Sequence, residues 1–375
     1  MTDQSAQPAF RNLVPGDRAP SFKARTKSNP QFTFDSVGGR WLLLAFPGTV
    51  GDQRMAQMIA TAYAATDVFD DEQASLFTVI NAPDDEAQDR LADKIPGRRV
   101  FWDTDMAVAR MYGAMPVQTD TSAPFRPFWM VIDPSLTIRK RVAMTPDGSC
   151  IEQVLAYLRS VPPAATFLGF ETPAPVLVLP DVFEPEFCDH LVGLYHEHGG
   201  ESSGFMRDQD GKTVAVMDPS FKVRNDFTLS DPDLISQTQS RILRKVVPQI
   251  ERVHYFKCTR MERYMVGCYP ADEGGHFRPH RDNTTLGTAH RRFAVSINLN
   301  DEFEGGAVSF PEFNPRGIKA PKGTAVIFSC SLLHAVAKVT SGTRYAFLPF
   351  LYDDAAAAIR ERNAANVPNA AGYKA

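Results

Sequence analysis

The segment GGHFRPHRDNTT, residues 274–285, sets His280 and Asp282 two positions apart. On a β-strand such residues share a face, whereas on a helix they diverge by roughly 200°. Strand context therefore makes this histidine and this aspartate a chelating pair. An HxD triplet alone says little, because chance matches are common in a chain with eight histidines. Its company says more. His334 follows at the end of a β-rich interval, and Arg344 opens the strand-like RYAFLPFLY. Two imidazoles and one carboxylate leave three adjacent positions open on a metal, the facial arrangement suited to Fe(II) activating O2. The planar guanidinium of Arg344 adds a fork for a carboxylate, which a metal-chelating dicarboxylic cosubstrate requires.

These residues need strands to hold them, and residues from 260 onward supply the pattern. Tyr264 to Tyr269, Phe293 to Asn300, Ala307 to Phe310, Thr324 to Ser329 and Arg344 to Tyr352 read as short strands, with turns at Gly305-Gly306 and Pro321-Lys322-Gly323. An amphipathic helix is expected over Glu184 to His198, with Pro185 near its start and Gly199-Gly200 past its end. It sets His196 and His198 on diverging faces, so the HEH string is not a metal dyad. Many strands with flanking helices predict a double-stranded β-helix, or jelly roll. His276, Asn283 and Thr284 could reach a substrate, although Asn-Thr-Thr is also an ordinary turn. His290, beside Arg291 and Arg292, reads as a solvated loop.

The first 149 residues contain neither histidine nor cysteine, so half the chain lacks the usual transition-metal ligands. There, Trp41 to Phe46, Leu76 to Ile80 and Phe128 to Ile132 are apolar runs of the kind buried on both faces of a sheet, and they alternate with helical segments at Gln53 to Phe69 and Ile151 to Leu158. This is an α/β layer pattern. A chain of 375 residues exceeds one usual core. The proline- and alanine-rich seam divides it into residues 1–163, a linker at 164–176, a domain at 177–353 and a frayed tail at 354–375 that starts as a short helix. Net charge is -4, with 40 basic residues scattered among 44 acidic ones, which offers no nucleic-acid footprint. Five cysteines without a CxxC suit reduced thiols. Neither a signal-peptide pattern nor a membrane-length apolar run is visible, so a soluble, cytoplasmic protein is expected.

The N-terminal motifs GDRAPSF (16–22), WLLLAFPG (41–48), DTDMAVARMYG (103–113) and FWMVIDPSLTIRK (128–140) stand in the order found in peroxiredoxins. That resemblance, over roughly residues 12–160, implies a thioredoxin-like fold. Peroxiredoxins act through a cysteine shortly after the proline that ends the central strand, but here the segment reads Pro47-Gly48-Thr49-Val50-Gly51. A threonine hydroxyl cannot cycle through sulfenic acid, so no peroxidase activity is expected. Arg126 resembles the family's active-site arginine, with no thiolate left to serve, and Pro127 sits near the family's cis-proline. The expected role of this domain is docking, dimerisation or substrate positioning.

The C-terminal half resembles the prolyl 4-hydroxylase-like branch of the 2-oxoglutarate- and Fe(II)-dependent dioxygenases. YMVGCYP, HFRPHRD, LNDEFEGGAVSFPEF, PKGTAVIFSCSLLHAV and VTSGTRYAFLPFLYD follow that family's order over roughly residues 175–353. The resemblance implies that His280, Asp282 and His334 bind Fe(II), that Arg344 pairs the distal carboxylate of 2-oxoglutarate, and that Tyr269 lines the cosubstrate pocket. It further implies O2 as co-reactant, succinate and CO2 as products, ascorbate as a candidate reductant, and neutral imidazoles at the metal. The expected substrate is a prolyl or other residue of a protein or peptide, or else a small molecule. A homodimer is compatible with the sequence. A sensor of iron, oxygen or 2-oxoglutarate without turnover, or a thioredoxin-fold interaction protein, is the competing reading.

Overall fold

The apolar run at 41–46 becomes the central strand of a five-stranded sheet, in the computed structural model that describes residues 9–118 and 124–367. The chain divides into two units, residues 1–173 with 311–315 and residues 174–310 with 316–375. In the first unit, β1 (Trp41–Gly48) lies between β2 (Ala74–Ile80), parallel to it, and β4 (Phe128–Ile132), antiparallel. β3 (Arg98–Trp102) and β5 (Ile138–Ala143) complete the order β3-β2-β1-β4-β5. Strand alternation sorts the run into two cores. Trp41, Leu43 and Ala45 pack with α1 (Gln53–Ala64) and α2 (Ser149–Ser160), while Leu42, Leu44 and Phe46 pack with Phe34, Phe101 and Tyr112. Asp52 caps α1, its carboxylate accepting from the Arg54 and Met55 amides at 2.8 and 3.2 Å.

Two expectations for this unit need correction. Helix α1 ends at Ala64, short of Phe69, because the Ala65 amide turns back to the Ala62 carbonyl. Among the described residues the cis X–Pro bond is Ile95–Pro96, and Pro127 instead leads into β4, where an extended trans entry suits a strand start.

The first helix of the second unit is α3 (Pro185–His198), whose proline opens it as expected. A hairpin of β6 (Phe205–Gln209) and β7 (Lys212–Val216) and the helix α4 (Pro232–Lys245) follow, none of them anticipated above. The hairpin had a readable signal, since Asp210-Gly211 takes positive φ at both turn positions, 50° and 75°. The short β8 (Lys222–Val223) precedes the main strands.

Eight strands build the site's frame: β9 (Met265–Pro270), β10 (His276–His280), β11 (Phe293–Asn298), β12 (Val308–Phe310), β13 (Asn314–Ile318), β14 (Ala325–Ser329), β15 (His334–Val336) and β16 (Val339–Phe347). The larger sheet contains the order β9-β16-β11-β14, and the smaller one β8-β10-β15-β12-β13. The first, third, sixth and eighth of the eight thus share one sheet, and the others share its partner. This alternation is the jelly-roll connectivity. The expected strand at 344–352 is two, β16 and Phe350–Tyr352, because Pro349 brings no amide to the ladder.

The tail is also more ordered than expected. Asp354–Asn363 forms α5, capped by Asp353, and Arg360 donates to the Tyr352 hydroxyl at 2.6 Å. Residues 368–375 of the expected tail lie outside those described. No helix among the described residues is long and apolar enough to cross a membrane.

Candidate metal centre and the basic wall beside it

His280 ends β10 and His334 begins β15, and the two are paired across the smaller sheet, with a register irregularity between Phe277 and His280. Their ring centres lie 4.2 Å apart. Asp282 sits past the end of β10, so strand alternation alone does not aim it. Its amide donates to the Cys330 carbonyl at 2.9 Å, which holds the turn against the strand leading to His334. The carboxylate then lies 3.6 Å from His280 Nε2 and 3.3 Å from His334 Nε2. One ligand atom from each of the three residues falls within 4.8 Å of the others. Ligands about 2.1 Å from a divalent ion and at right angles sit roughly 3 Å apart, so the trio fits a single ion.

The imidazoles are oriented for that task. His280 Nδ1 lies 2.7 Å from the Arg278 carbonyl and His334 Nδ1 lies 3.1 Å from the Leu332 carbonyl. A carbonyl only accepts, so each Nδ1 carries the proton and each Nε2 keeps its lone pair toward Asp282. Burial, reinforced by the neighbouring His334, pushes His280 down to about 3, and the ring is neutral at ordinary pH. Burial opposes ionisation of Asp282, but His334, His280 and the more distant Arg291 and Arg263 outweigh it and hold the carboxyl below its ordinary value. Cys330 is fully buried, and its thiol is pushed well up by burial and by Asp282, which leaves it neutral.

Arg344 lies on β16 directly opposite Tyr269 on β9. Its Nε donates to Asn298 Oδ1 and its Nη2 to Ser296 Oγ, both at 2.9 Å. Its Nη1 is buried and makes no hydrogen bond, although the residue is only 1% exposed. A buried guanidinium with one end unmatched could hold an anion there. Tyr269 is equally buried, with the Arg344 guanidinium 5.1 Å from its ring centre. It packs with Phe303, Val339 and Val336, and Val336 lies two residues from His334 on β15. The phenol therefore reaches from the larger sheet to the strand face that carries a metal-facing histidine. Gly306 permits this packing: with φ at +64°, a Cβ there would lie 3.0 Å from Arg344 Cδ.

Residues 222–226 were missed in the sequence. Lys222 is buried against the smaller sheet, and Arg224 is buried and donates to the Tyr269 hydroxyl at 3.4 Å. Arg224 pairs with Asp226 in a fork of 2.6 and 2.7 Å, and Arg263 meets the same carboxylate at 3.3 Å. Lys, Arg and Asp at alternate positions are a one-face pattern that sequence could have flagged, though not as an interior face.

Of the other candidates, His276 is held by the Gly274 carbonyl at 2.8 Å, Asn283 is half-buried and Thr284 exposed. His290 is not solvated: it is fully buried, with Nε2 3.0 Å from a Glu262 carboxylate that also pairs with Arg291 and Arg360. The Glu262 carboxylate, which Arg291 and Arg360 also hold, draws His290 inward. His196 and His198 are exposed and face different rings, those of Tyr345 and Phe227. In the N-terminal unit, Thr49 donates to the buried Asp85 at 2.9 Å, and Arg126 lies over the Phe10 ring.

Comparison with known proteins matches residues 264–352 to the 2OG-Fe(II) oxygenase superfamily. A PKHD-type hydroxylase of Prochlorococcus marinus is 31% identical over 139 residues, which cover 36% of this chain and 62% of that protein. One from Hyphomonas neptunium is 26% identical over 158 residues, covering 39% and 67%. The chain thus spans less than two thirds of the length of the first of these relatives. Among solved structures, a Trichoplax adhaerens prolyl hydroxylase bound to a hypoxia-inducible-factor peptide is similar at 16% identity and a TM-score of 0.41, over 49% of this chain and 86% of that one.

Proposed function

We propose, from the 2OG-Fe(II) oxygenase domain at residues 264–352, that this protein is a 2-oxoglutarate- and Fe(II)-dependent dioxygenase that hydroxylates an unactivated C–H bond, releasing succinate and CO2. The observation that carries the reading is the convergence of His280, Asp282 and His334 beside a buried guanidinium whose Nη1 has no partner. His280, Asp282 and His334 would hold the iron, which would supply the chemistry of O2 activation when bound. The chain's own part is placement. The Nδ1 protons of His280 and His334, held by backbone carbonyls, keep both Nε2 atoms aimed at the ion. Arg344, braced by Asn298 and Ser296, offers Nη1 to the distal carboxylate of 2-oxoglutarate, and Tyr269 walls that pocket against water.

The substrate is a residue of a protein or peptide, prolyl being one option, or a small molecule. The N-terminal unit takes a thioredoxin-like fold on the strength of its sheet order β3-β2-β1-β4-β5 and its motifs, and serves docking or positioning instead of peroxide chemistry. The test is Fe(II)-dependent succinate release by the full-length protein. Asp282→Ala is expected to abolish it. Binding of 2-oxoglutarate with no succinate under any substrate pool marks a sensor instead.

A further inference from the structure

The chain from Lys222 to Thr228 passes from one sheet to the other. Lys222 pairs with Phe277 of β10 in the smaller sheet, while Asn225–Thr228 runs antiparallel to β9 in the larger one. One flank of the candidate site is therefore walled by a single segment, and that wall is basic. Lys222 is 6% exposed, with Nζ bonded to Ser203 Oγ at 2.6 Å and the Gly204 carbonyl at 2.7 Å. Both acceptors are neutral, and no carboxylate pairs with this amine among the described residues. Nζ lies 5.1 Å from the centre of the Phe277 ring, which itself stacks on His280 at 3.5 Å. The amine thus stands one aromatic ring away from the metal-facing imidazole.

A charge count isolates the anomaly. With iron in place, its two positive charges are met by Asp282 and the chelating carboxylate of 2-oxoglutarate, and Arg344 meets the other carboxylate. Asp226 neutralises one of its two partners, Arg224 and Arg263. One guanidinium equivalent remains without a counter-ion in a buried wall, and the Lys222 amine stands beside it with no carboxylate partner among the described residues. Buried charges are paired as a rule, so a surplus next to a reaction centre points to an anion that arrives with a ligand. Burial and the neighbouring Arg224 push the Lys222 amine down to about 6, so the wall by itself holds it uncharged at neutral pH and a carboxylate arriving beside it restores the ammonium.

We propose that Lys222 and Arg224 hold a carboxylate of the molecule to be hydroxylated, so that the substrate class is acidic: a free carboxylic acid or a peptide with an acidic side chain. This rests on the dioxygenase reading of the same site. An uncharged isostere would leave Lys222 on its two neutral acceptors, and selection for the acid follows.

The experiment is calorimetric titration of the full-length, Mn(II)-loaded protein, first with 2-oxoglutarate and then, at saturation, with acid and amide probes. N-acetylglycine against its amide reports a terminal carboxylate. N-acetylaspartate N-methylamide against the asparagine analogue reports a side-chain one, and the arm with the larger preference identifies the source. At least one acid is expected to bind tenfold or more tighter than its amide. Lys222→Gln, which keeps a donor for Ser203 and Gly204, should bring acid and amide within twofold while leaving the 2-oxoglutarate dissociation constant within twofold of wild type. Ser203→Ala, which loosens the tie but keeps the ammonium, should retain the preference; Lys222→Met replaces the glutamine variant if that one does not fold. Equal binding of acid and amide, or no binding of either, overturns the proposal. So does a Lys222→Gln variant that keeps the preference, or one that weakens 2-oxoglutarate as an Arg344 variant does. A wild type that gives no heat with 2-oxoglutarate defeats the dioxygenase reading instead, and the acid preference is still read on the Mn(II)-loaded protein.

Discussion

Replacing Arg344 by methionine removes the guanidinium while keeping most of its bulk, and the surroundings set the size of the effect. Truncating one partner of a buried, hydrogen-bonded charge pair costs about 2 to 5 kcal/mol of binding. Here Nε and Nη2 already donate to Asn298 and Ser296, so the incoming carboxylate meets chiefly Nη1, not a free two-pronged fork. That places the loss in the lower part of the range, about 2 to 3 kcal/mol, or roughly 30- to 150-fold in the dissociation constant of 2-oxoglutarate. Arg344 is not among the residues that face the metal, so Mn(II) affinity should stay within about threefold of wild type, under 0.7 kcal/mol. Calorimetry on full-length protein, titrating Mn(II) first and 2-oxoglutarate second, separates the two. Asn298 and Ser296 lose their donor in the variant, so a thermal melt must first show that the fold persists. A 2-oxoglutarate affinity within threefold of wild type refutes the assignment, and a parallel loss of metal and cosubstrate affinity shows a collapsed site instead.

Further outcomes follow from the same geometry. Metal at a hundredfold excess over its dissociation constant should stabilise the protein by about 2.7 kcal/mol, and a chelator or Asp282→Ala should abolish that shift in a thermal melt; an undiminished shift in the variant would place the metal elsewhere. In the metal-free protein His280 titrates near 3, below its ordinary value near 6.5, so between those values the unfolded chain binds a proton that the fold does not. Stability is then fully present above pH 6.5 and falls as pH drops toward 3. Urea midpoints at pH 7.5 and 5 should fall more in wild type than in His280→Asn, and equal losses contradict the assignment. Glu262→Gln strips the carboxylate from His290, Arg291 and Arg360 in a buried network and should cost roughly 3 to 5 kcal/mol in urea unfolding, whereas a loss below about 1 kcal/mol would show that the network holds little.

Local chemistry in the sequence was enough for the frame. The alternation of Trp41 to Phe46 between two cores, the proline opening of α3 and the strand that carries Arg344 are all nearest-neighbour patterns, set by residue type and a period of two or 3.6, whereas the strands under His280 and His334 were not among those expected. The residue types His, Asp, His and Arg were likewise enough to name a chemistry, because coordination preferences belong to the side chains themselves. Tertiary structure decided what each charged group meets. Asp282 lies beyond its strand and is aimed by the Cys330 carbonyl, His290 is drawn inside by Glu262, and the tail helix α5 is anchored through Arg360. Lys222 and Arg224 carried no expectation from the sequence, and it is the chain's crossing between sheets that buries them beside Tyr269 and Phe277. Propensity and turn chemistry act over a few residues, whereas the burial of a charge depends on counter-ions and carbonyls far along the chain, and only the folded arrangement brings these together.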